Sequence, residues 1–360
     1  MSKGTSPLMR VMFFIPSLGD GGAQRQCIAL LNELQRRPGI DLHLMVLASG
    51  AHEWRLDASN LTIHRFQVEN FASVSALVHV FQTVRQVRPN VVMSWLHPAD
   101  ILMGIVARFF PKLVWIQAER DSKYPPGLTY RVRKVIGRGA DRIIANSAPG
   151  ATYWNNARYR GPIDVIPNIV LAEFRKYRER PVPARILSVG RLEPQKNHEA
   201  TILACSRLLP EMSGVELRIV GEGSKREDLV ALADEVGMSE NVAFVGFIDD
   251  VASELDSASV VITMSRHEGL PNVLLEALAR GVVVVASRIR EHTAVLGEEY
   301  PYLIDLDSSP DDAAAMVRRA LTEQDAAAHL QHGINVVRGL TPENVGSSYM
   351  SKFEESISGG

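Results

Sequence analysis

Residues 259–287 read SVVITMSRHEGLPNVLLEALARGVVVVAS. The runs "SVVITMS" and "VVVVAS" are continuously apolar, the pattern of strands buried on both faces. Between them Val273, Leu274, Ala277 and Leu278 recur at helical spacing, and Pro271 suits the first turn of that helix, where a missing N–H removes nothing. Strand, helix and strand in this order form the unit of a parallel sheet, which sets the class as α/β. The same stretch places Glu268 on the loop where the strand ends and Glu276 inside the helix.

The alternation continues in both directions. Strands are predicted at "LMRVMFFIP", "DLHLMVLAS", "LTIHRFQV", "VVMSWL", "LVWIQAE", "RIIANS" and "DVIPN", then again at "ARILSVG", "VELRIVG" and "VAFVGF". Helical patterns such as "GAQRQCIALLNELQRR" and "SVSALVHVFQTVRQV" separate them. The restart predicts two doubly wound parallel-sheet domains, residues 1–172 and 173–341, divided at the charged, Pro-containing segment 173–185. Ligands bind at the carboxyl ends of parallel strands, so two such domains are expected to face each other across a cleft. A last helix follows, with Thr341 as N-cap and Pro342 at its first position.

The chain has 360 residues, 46% hydrophobic and 22% charged, ordinary values for a globular protein. No apolar run approaches the roughly 20 residues of a membrane span, and the N-terminus runs straight into a strand without a leader pattern. The two cysteines, Cys27 and Cys205, lie far apart and suit a reducing cytoplasm, with neither a disulfide nor a metal cluster. A net charge of −2 hides an asymmetry: residues 1–168 carry +9 and the remainder −11. The expected partners are small molecules and surfaces; no nucleic acid is expected.

The helix start after Pro271 offers backbone N–H groups and a dipole to an anion, and Gly269 lets backbone approach it. Two carboxylates flanking a phosphate repel it, so Glu268 and Glu276 suit hydroxyl groups on either side. A ribose on one side and a hexose on the other describe a sugar nucleotide; Glu276 as a solvated helix residue stands as the plain alternative. In "SVGRLEPQKNHEA", residues 188–200, Arg191 and Lys196 present two cations at the same carboxyl edge, suited to a diphosphate. The "DLD" at 305–307 precedes the helix "SPDDAAAMVRRALTE", where acids suit an N-terminus, and reads as structural rather than as a metal site.

"GRLEPQKN" followed by "EGLPNVLLEALARG" resembles the retaining GT-B glycosyltransferases of family 4, also called group 1. The resemblance extends through "SLGDGGAQRQ", "ADRIIANSAPG", "VIPNIV" and "LRIVGEGSKREDLVALADEVGMSENVAFVGF", nearly the whole chain. It implies that Arg191 and Lys196 hold the diphosphate of a nucleotide-sugar donor, with Glu268 on the hexose and Glu276 on the ribose. Backbone at Gly269, Leu270, Pro271, Asn272 and Val273 would cap the phosphate, and Gly246 and Phe247 would border the base. Gly21 and Gly22 would form the glycine loop approaching the donor from the other domain, where side chains would block close approach. His97 would contact the donor sugar. The resemblance also implies that helix 342–360 crosses back onto the first domain.

Asp100, one helical turn after His97, and Arg120, at the next strand end, are expected to face the same cleft. Ile169 and Arg290 depart from the family's pattern. The resemblance implies same-face transfer to a glycan or lipid-linked acceptor, with the nucleotide sugar as co-substrate and neither cofactor nor metal. The alternatives are a GT-B sugar-nucleotide 2-epimerase, which would release no new glycoside, and a catalytically silent sugar-nucleotide-binding subunit, against which the retention of both glutamates, Arg191 and Lys196 argues. Finally, residues 127–142 place Leu128, Val132, Val135 and Ile136 on one helical face, expected to pack on the sheet. Arg131, Lys134 and Arg138 lie on another, with Arg133 and Arg142 nearby, an outward basic face for an anionic membrane. The expected location is cytoplasmic, peripheral on the inner membrane.

Overall fold

The computed structural model describes residues 8–359 except 20, 173, 176–183, 213 and 249. Most of the segment read as the domain boundary, 173–185, therefore lies outside the described residues, as does Asp20 of the glycine loop. Contacts divide the chain into Met1–Ile169 with Leu340–Gly360, and Val170–Gly339.

The first unit holds β1 (Met9–Ser17), β2 (Ile40–Ala48), β3 (Leu61–Arg65), β4 (Val91–Trp95), β5 (Val114–Glu119), β6 (Arg142–Ala145) and β7 (Ile163–Val165). Their order in the sheet is β3-β2-β1-β4-β5-β6-β7. The second holds β8 (Arg185–Val189), β9 (Glu216–Val220), β10 (Val242–Gly246), β11 (Val260–Thr263), β12 (Val283–Ser287) and β13 (Leu303–Ile304), ordered β10-β9-β8-β11-β12-β13. All pairings are parallel. Both units are Rossmann-like, the α/β class expected from the apolar runs. The two-residue β13 was not predicted, because it is too short to show a period.

Successive residues of β1 serve opposite faces of the first sheet. Val11, Phe13 and Ile15 join Cys27, Ile28 and Leu31 of the helix Gly22–Leu34, and Tyr349 and Phe353 of the last helix, Pro342–Ser358, complete this cluster. Met12 and Phe14 point the other way, toward Val80 and Val84 of Val74–Val87 and Leu102 and Met103 of His97–Val106. The last helix begins as read: the Thr341 side chain accepts from Asn344 N, and Pro342 follows. Phe353 is fully buried and meets the Phe13 ring edge-on at 6.3 Å.

Phe353→Ala should destabilise the first unit by about 3–5 kcal/mol, the range for truncating a buried aromatic side chain. Chemical denaturation followed by tryptophan fluorescence checks it, because Trp95, Trp115 and Trp154 all belong to this unit's cores.

Candidate active site

In each sheet the strand order reverses beside the unit's first strand, between β1 and β4 and between β8 and β11. The loops leaving those neighbouring strands part at their carboxyl ends, where open α/β sheets take ligands. In the second unit, the loop after β8 carries Arg191 and Lys196 and the loop after β11 carries Glu268.

Hydrogen bonds stitch these two loops together. Arg266 N donates to Gln195 O at 2.8 Å, and Gln195 Nε2 donates to His267 O at 2.9 Å. Arg266 Nη2 reaches Asn197 Oδ1 at 3.1 Å, and the exposed Arg191 reaches Gln195 Oε1 at 3.2 Å. Across the junction Lys196 Nζ lies 2.5 Å from Glu268 Oε1, which also accepts from Ser265 Oγ at 2.6 Å. Glu268 is buried, and burial alone would raise its pKa; the Lys196 charge and the donated hydrogen bonds outweigh that and hold it below the ordinary value. Two residues assigned to different parts of a donor are thus one ion pair.

Two buried histidines flank the pair. His198, against Ser188 Oγ at 3.1 Å, is pushed down to about 4 by burial and the Lys196 charge. His292 donates from Nδ1 to Ser287 O at 2.8 Å, and burial lowers its pKa as well. Ser287 Oγ in turn donates to Ser265 O at 2.6 Å. Sequence reading missed Ser188, Ser265, Ser287 and both histidines. The signal present was a serine within two residues of the carboxyl end of each of three strands.

The other residues expected to meet a donor lie at the helix start after Glu268 and at the end of β10. Pro271 is the N-cap of the helix Asn272–Ala279 rather than its first residue: its ψ of 88° is not helical, while its carbonyl accepts from Leu275 N at 3.2 Å. Gly269, Leu270, Asn272 and Val273 bracket this helix start, with Glu276 half-buried one turn on. Gly246 ends β10 at φ +80°, a conformation suited to glycine, and Phe247 beside it is exposed. Asp305 of "DLD" pairs with Arg288 at 3.0 Å, and the next helix opens on a Ser309–Asp312 capping box. Among the described residues, no three His, Cys, Asp or Glu side chains gather as a metal requires.

In the first unit, Gly21 caps the helix that starts at Gly22, and His97 starts the helix after β4. Trp95 Nε1 donates to Ala23 O at 2.9 Å, tying these two loops together. Leu96, immediately before His97, holds φ +76° and ψ 154°, a region that suits only glycine and stores backbone strain. Burial, the Arg133 charge adding to it, lowers the His97 pKa, so its imidazole is neutral at pH 7.

Two expectations fail here, those for Asp100 and for the helix Leu128–Gly137. Asp100 does not line a cleft: it is buried, accepting from Ser94 Oγ at 2.6 Å and from Arg133 Nε at 2.7 Å. Burial raises its pKa to about 6, despite Arg133 and Ser94. Arg120 stacks on Trp95 at 3.6 Å and donates to Tyr349 OH at 2.6 Å, a strut to the last helix. The helix Leu128–Gly137 is rotated from the expected setting, because Arg133 turns inward between Asp100 and Glu119, whose Oε2 is 2.9 Å away. Leu128 and Val135 consequently stand 77% and 62% exposed, beside exposed Arg131 and Arg138, while Lys134 lies over the Tyr153 ring. Arg142 belongs to β6 and pairs with Asp164.

Two Rossmann-like units in one chain, one of them with a cation and a carboxylate joined at its switch point, have the architecture of the GT-B fold. Residues 171–334 match the family model described as Glycosyl transferases group 1. The lipopolysaccharide core biosynthesis glycosyltransferase LpsE of Rhizobium meliloti (strain 1021) is 30% identical over 278 residues, 75% of this chain and 76% of that protein. LpsD of the same organism, also a lipopolysaccharide core biosynthesis glycosyltransferase, is 25% identical over 321 residues, covering 85% and 86%. The crystal structure of Anabaena HepE in complex with UDP-glucose superposes with a TM-score of 0.82 at 19% identity, covering 96% of this chain and all of that one. WaaG, a glycosyltransferase involved in lipopolysaccharide biosynthesis, gives 0.73 at 16%, covering 97% and 100%. This chain belongs to the group 1 glycosyltransferase family.

Glu268→Gln should leave Lys196 without its counter-charge and cost the second unit about 1–3 kcal/mol. Because the folded pKa of Glu268 lies below the ordinary 4.5, its contribution is present above that value and is lost as pH falls through the folded value. Wild type should therefore lose more stability than the variant on acidification below pH 4.5, as thermal unfolding across pH measures.

Proposed function

We propose that this glycosyltransferase is a retaining, metal-independent enzyme of family 4. It moves a hexose or N-acetylhexosamine from a nucleotide sugar, a UDP-sugar first, to a glycan or lipid-linked saccharide of surface polysaccharide or lipopolysaccharide. The observation that carries this reading is the Lys196–Glu268 pair at 2.5 Å, with Arg191 on the adjoining loop and a helix start beside it. HepE's complex with UDP-glucose and the lipopolysaccharide names of LpsE, LpsD and WaaG support the donor and acceptor classes.

In this reading Arg191, Lys196 and the Leu270–Val273 backbone take the diphosphate, Glu268 the hexose, Glu276 the ribose, and Gly246 with Phe247 the base. As the bond from the sugar's C1 to the phosphate oxygen breaks, charge on the leaving diphosphate grows, and fixed cations stabilise it more in the transition state than in the ground state. Glu268 is engaged by Lys196 and Ser265, a poor setting for a nucleophile, which favours same-face attack. The acceptor hydroxyl then bonds to C1 and its proton passes to the departing phosphate oxygen. For Gly21, Gly22 and His97 the family resemblance implies contact with the donor, and a neutral imidazole suits hydrogen bonding to a sugar hydroxyl. Two cations and a helix end supply the charge that a divalent ion would otherwise provide.

Purified protein offered a panel of UDP- and GDP-sugars with acceptor should release nucleotide and form a glycoside, with turnover persisting in excess chelator. Lys196→Ala and Arg191→Ala should each cost about 2–4 kcal/mol of transition-state stabilisation. An epimerase would change the sugar without forming a glycoside, and a silent subunit would release nothing.

The location proposed is the cytoplasmic face of the inner membrane. No described helix is long and apolar enough to cross a membrane. On the helix Leu128–Gly137, exposed Leu128 and Val135 alternate with Arg131 and, just past its end, Arg138. Apolar side chains between cations suit the interface of an anionic bilayer, each basic residue contributing roughly 1 kcal/mol. The protein should float with anionic vesicles at low salt, be released at high salt, and bind more weakly as Val135→Glu; recovery in the soluble fraction at every salt concentration points to a water-soluble acceptor.

A further inference from the structure

Of the four tryptophans, Trp95, Trp115 and Trp154 are buried and Trp54 is 68% exposed. The loop carrying Trp54 is fastened on both sides. Gly50 lies so close to the loop after β1 that a Cβ there would stand 2.0 Å from the Leu18 carbonyl carbon. His52 N donates to Leu18 O at 3.0 Å. On the other side Asn32 Nδ2 donates to Arg55 O at 2.8 Å and Asn32 Oδ1 accepts from Asp57 N at 2.9 Å. A single 3₁₀ turn, Glu53–Arg55, holds Trp54 at its middle.

This fixed turn follows β2, whose carboxyl end is in register with that of β1, Ala48 beside Ser17. Through Gly50 and His52 the segment leading into it adjoins Leu18 and Gly19 of the loop after β1, at the carboxyl edge of the sheet. Arg55 lies over the Trp54 ring at 4.6 Å, and Glu53 pairs with Arg65 of β3. An aromatic face bordered by guanidinium and carboxylate groups matches a pyranose: its weakly positive C–H face packs on the π cloud, and its hydroxyl groups meet the charged neighbours. A lipid surface fits less well, because Glu53, Arg55 and Asp57 surround the indole in sequence.

From this geometry we infer that Trp54 is a stacking platform for a pyranose ring of the acceptor saccharide. That the saccharide is an acceptor rests on the glycosyltransferase reading above; that Trp54 binds a saccharide does not.

The test is an array of bacterial glycans probed with the full-length wild type, Trp54→Ala and Trp54→Phe, with tryptophan emission followed on titrating the glycans retained. Wild type should bind a defined set of glycans with a shift in emission, Trp54→Ala should bind them roughly tenfold more weakly, and Trp54→Phe should keep most of the affinity. Equal binding by Trp54→Ala overturns the inference, and so does a wild type that retains no glycan. Vesicle binding that depends on Trp54 in place of glycan binding also overturns it. Donor turnover by the wild type is measured in parallel: glycan binding through Trp54 without turnover leaves the platform standing and removes the enzyme reading. Turnover with a Trp54→Ala protein that binds glycans normally does the reverse.

Discussion

The reversal of winding direction in each sheet is the constraint from which the rest follows. Right-handed crossovers carry the chain from β8 through β9 to β10 on one side, and it then returns to lay β11 on the other. Loops leaving β8 and β11 consequently diverge, and side chains from distant parts of the sequence meet at a site no single loop could build. Lys196 and Glu268 are 72 positions apart and share a hydrogen bond because of it. The first sheet repeats the arrangement at β1 and β4, where Trp95 ties the glycine loop to the start of the His97 helix.

Electrostatics then separates the two units. Around Glu268 the charges cancel: one carboxylate, one ammonium, and two histidines that burial keeps neutral near pH 7. Around Arg133 one guanidinium serves two carboxylates, and Asp100 is the member whose ionisation burial resists. In the function proposed above, an incoming diphosphate would compete with Glu268 for the Lys196 ammonium group, and Arg191 would supply a second cation at the exposed edge.

How much of this could be read from the sequence depends on whether the signal was local. Long apolar runs ending in turns revealed the parallel strands, whereas Leu303–Ile304 has too few residues to reveal anything. Glu268, Lys196 and Arg191 could be singled out because each stands beside a glycine or proline turn at a strand end. Their pairing left no local trace. The helix at 128–137 was misjudged for the same reason: in "RVRKVIGR" every arginine looks solvated. Only carboxylates 33 and 14 positions earlier, on other elements, select Arg133 for burial. Once that helix turns to satisfy Arg133, Leu128 and Val135 face outward, against their hydropathy. Asp100 was misplaced by the same buried cation.

The closing helix has a consequence for biosynthesis. Tyr349 and Phe353 belong to the first unit's core, yet a ribosome delivers them only after every residue of Val170–Gly339. During translation the face of β1 that bears Phe13 waits, partly uncovered, while the second unit can already fold. Nascent first-unit chains thus expose apolar surface for as long as it takes to synthesise the other half, the period in which chaperone capture and aggregation compete. A stop codon just before Pro342 would leave every strand in place and this nascent state permanent.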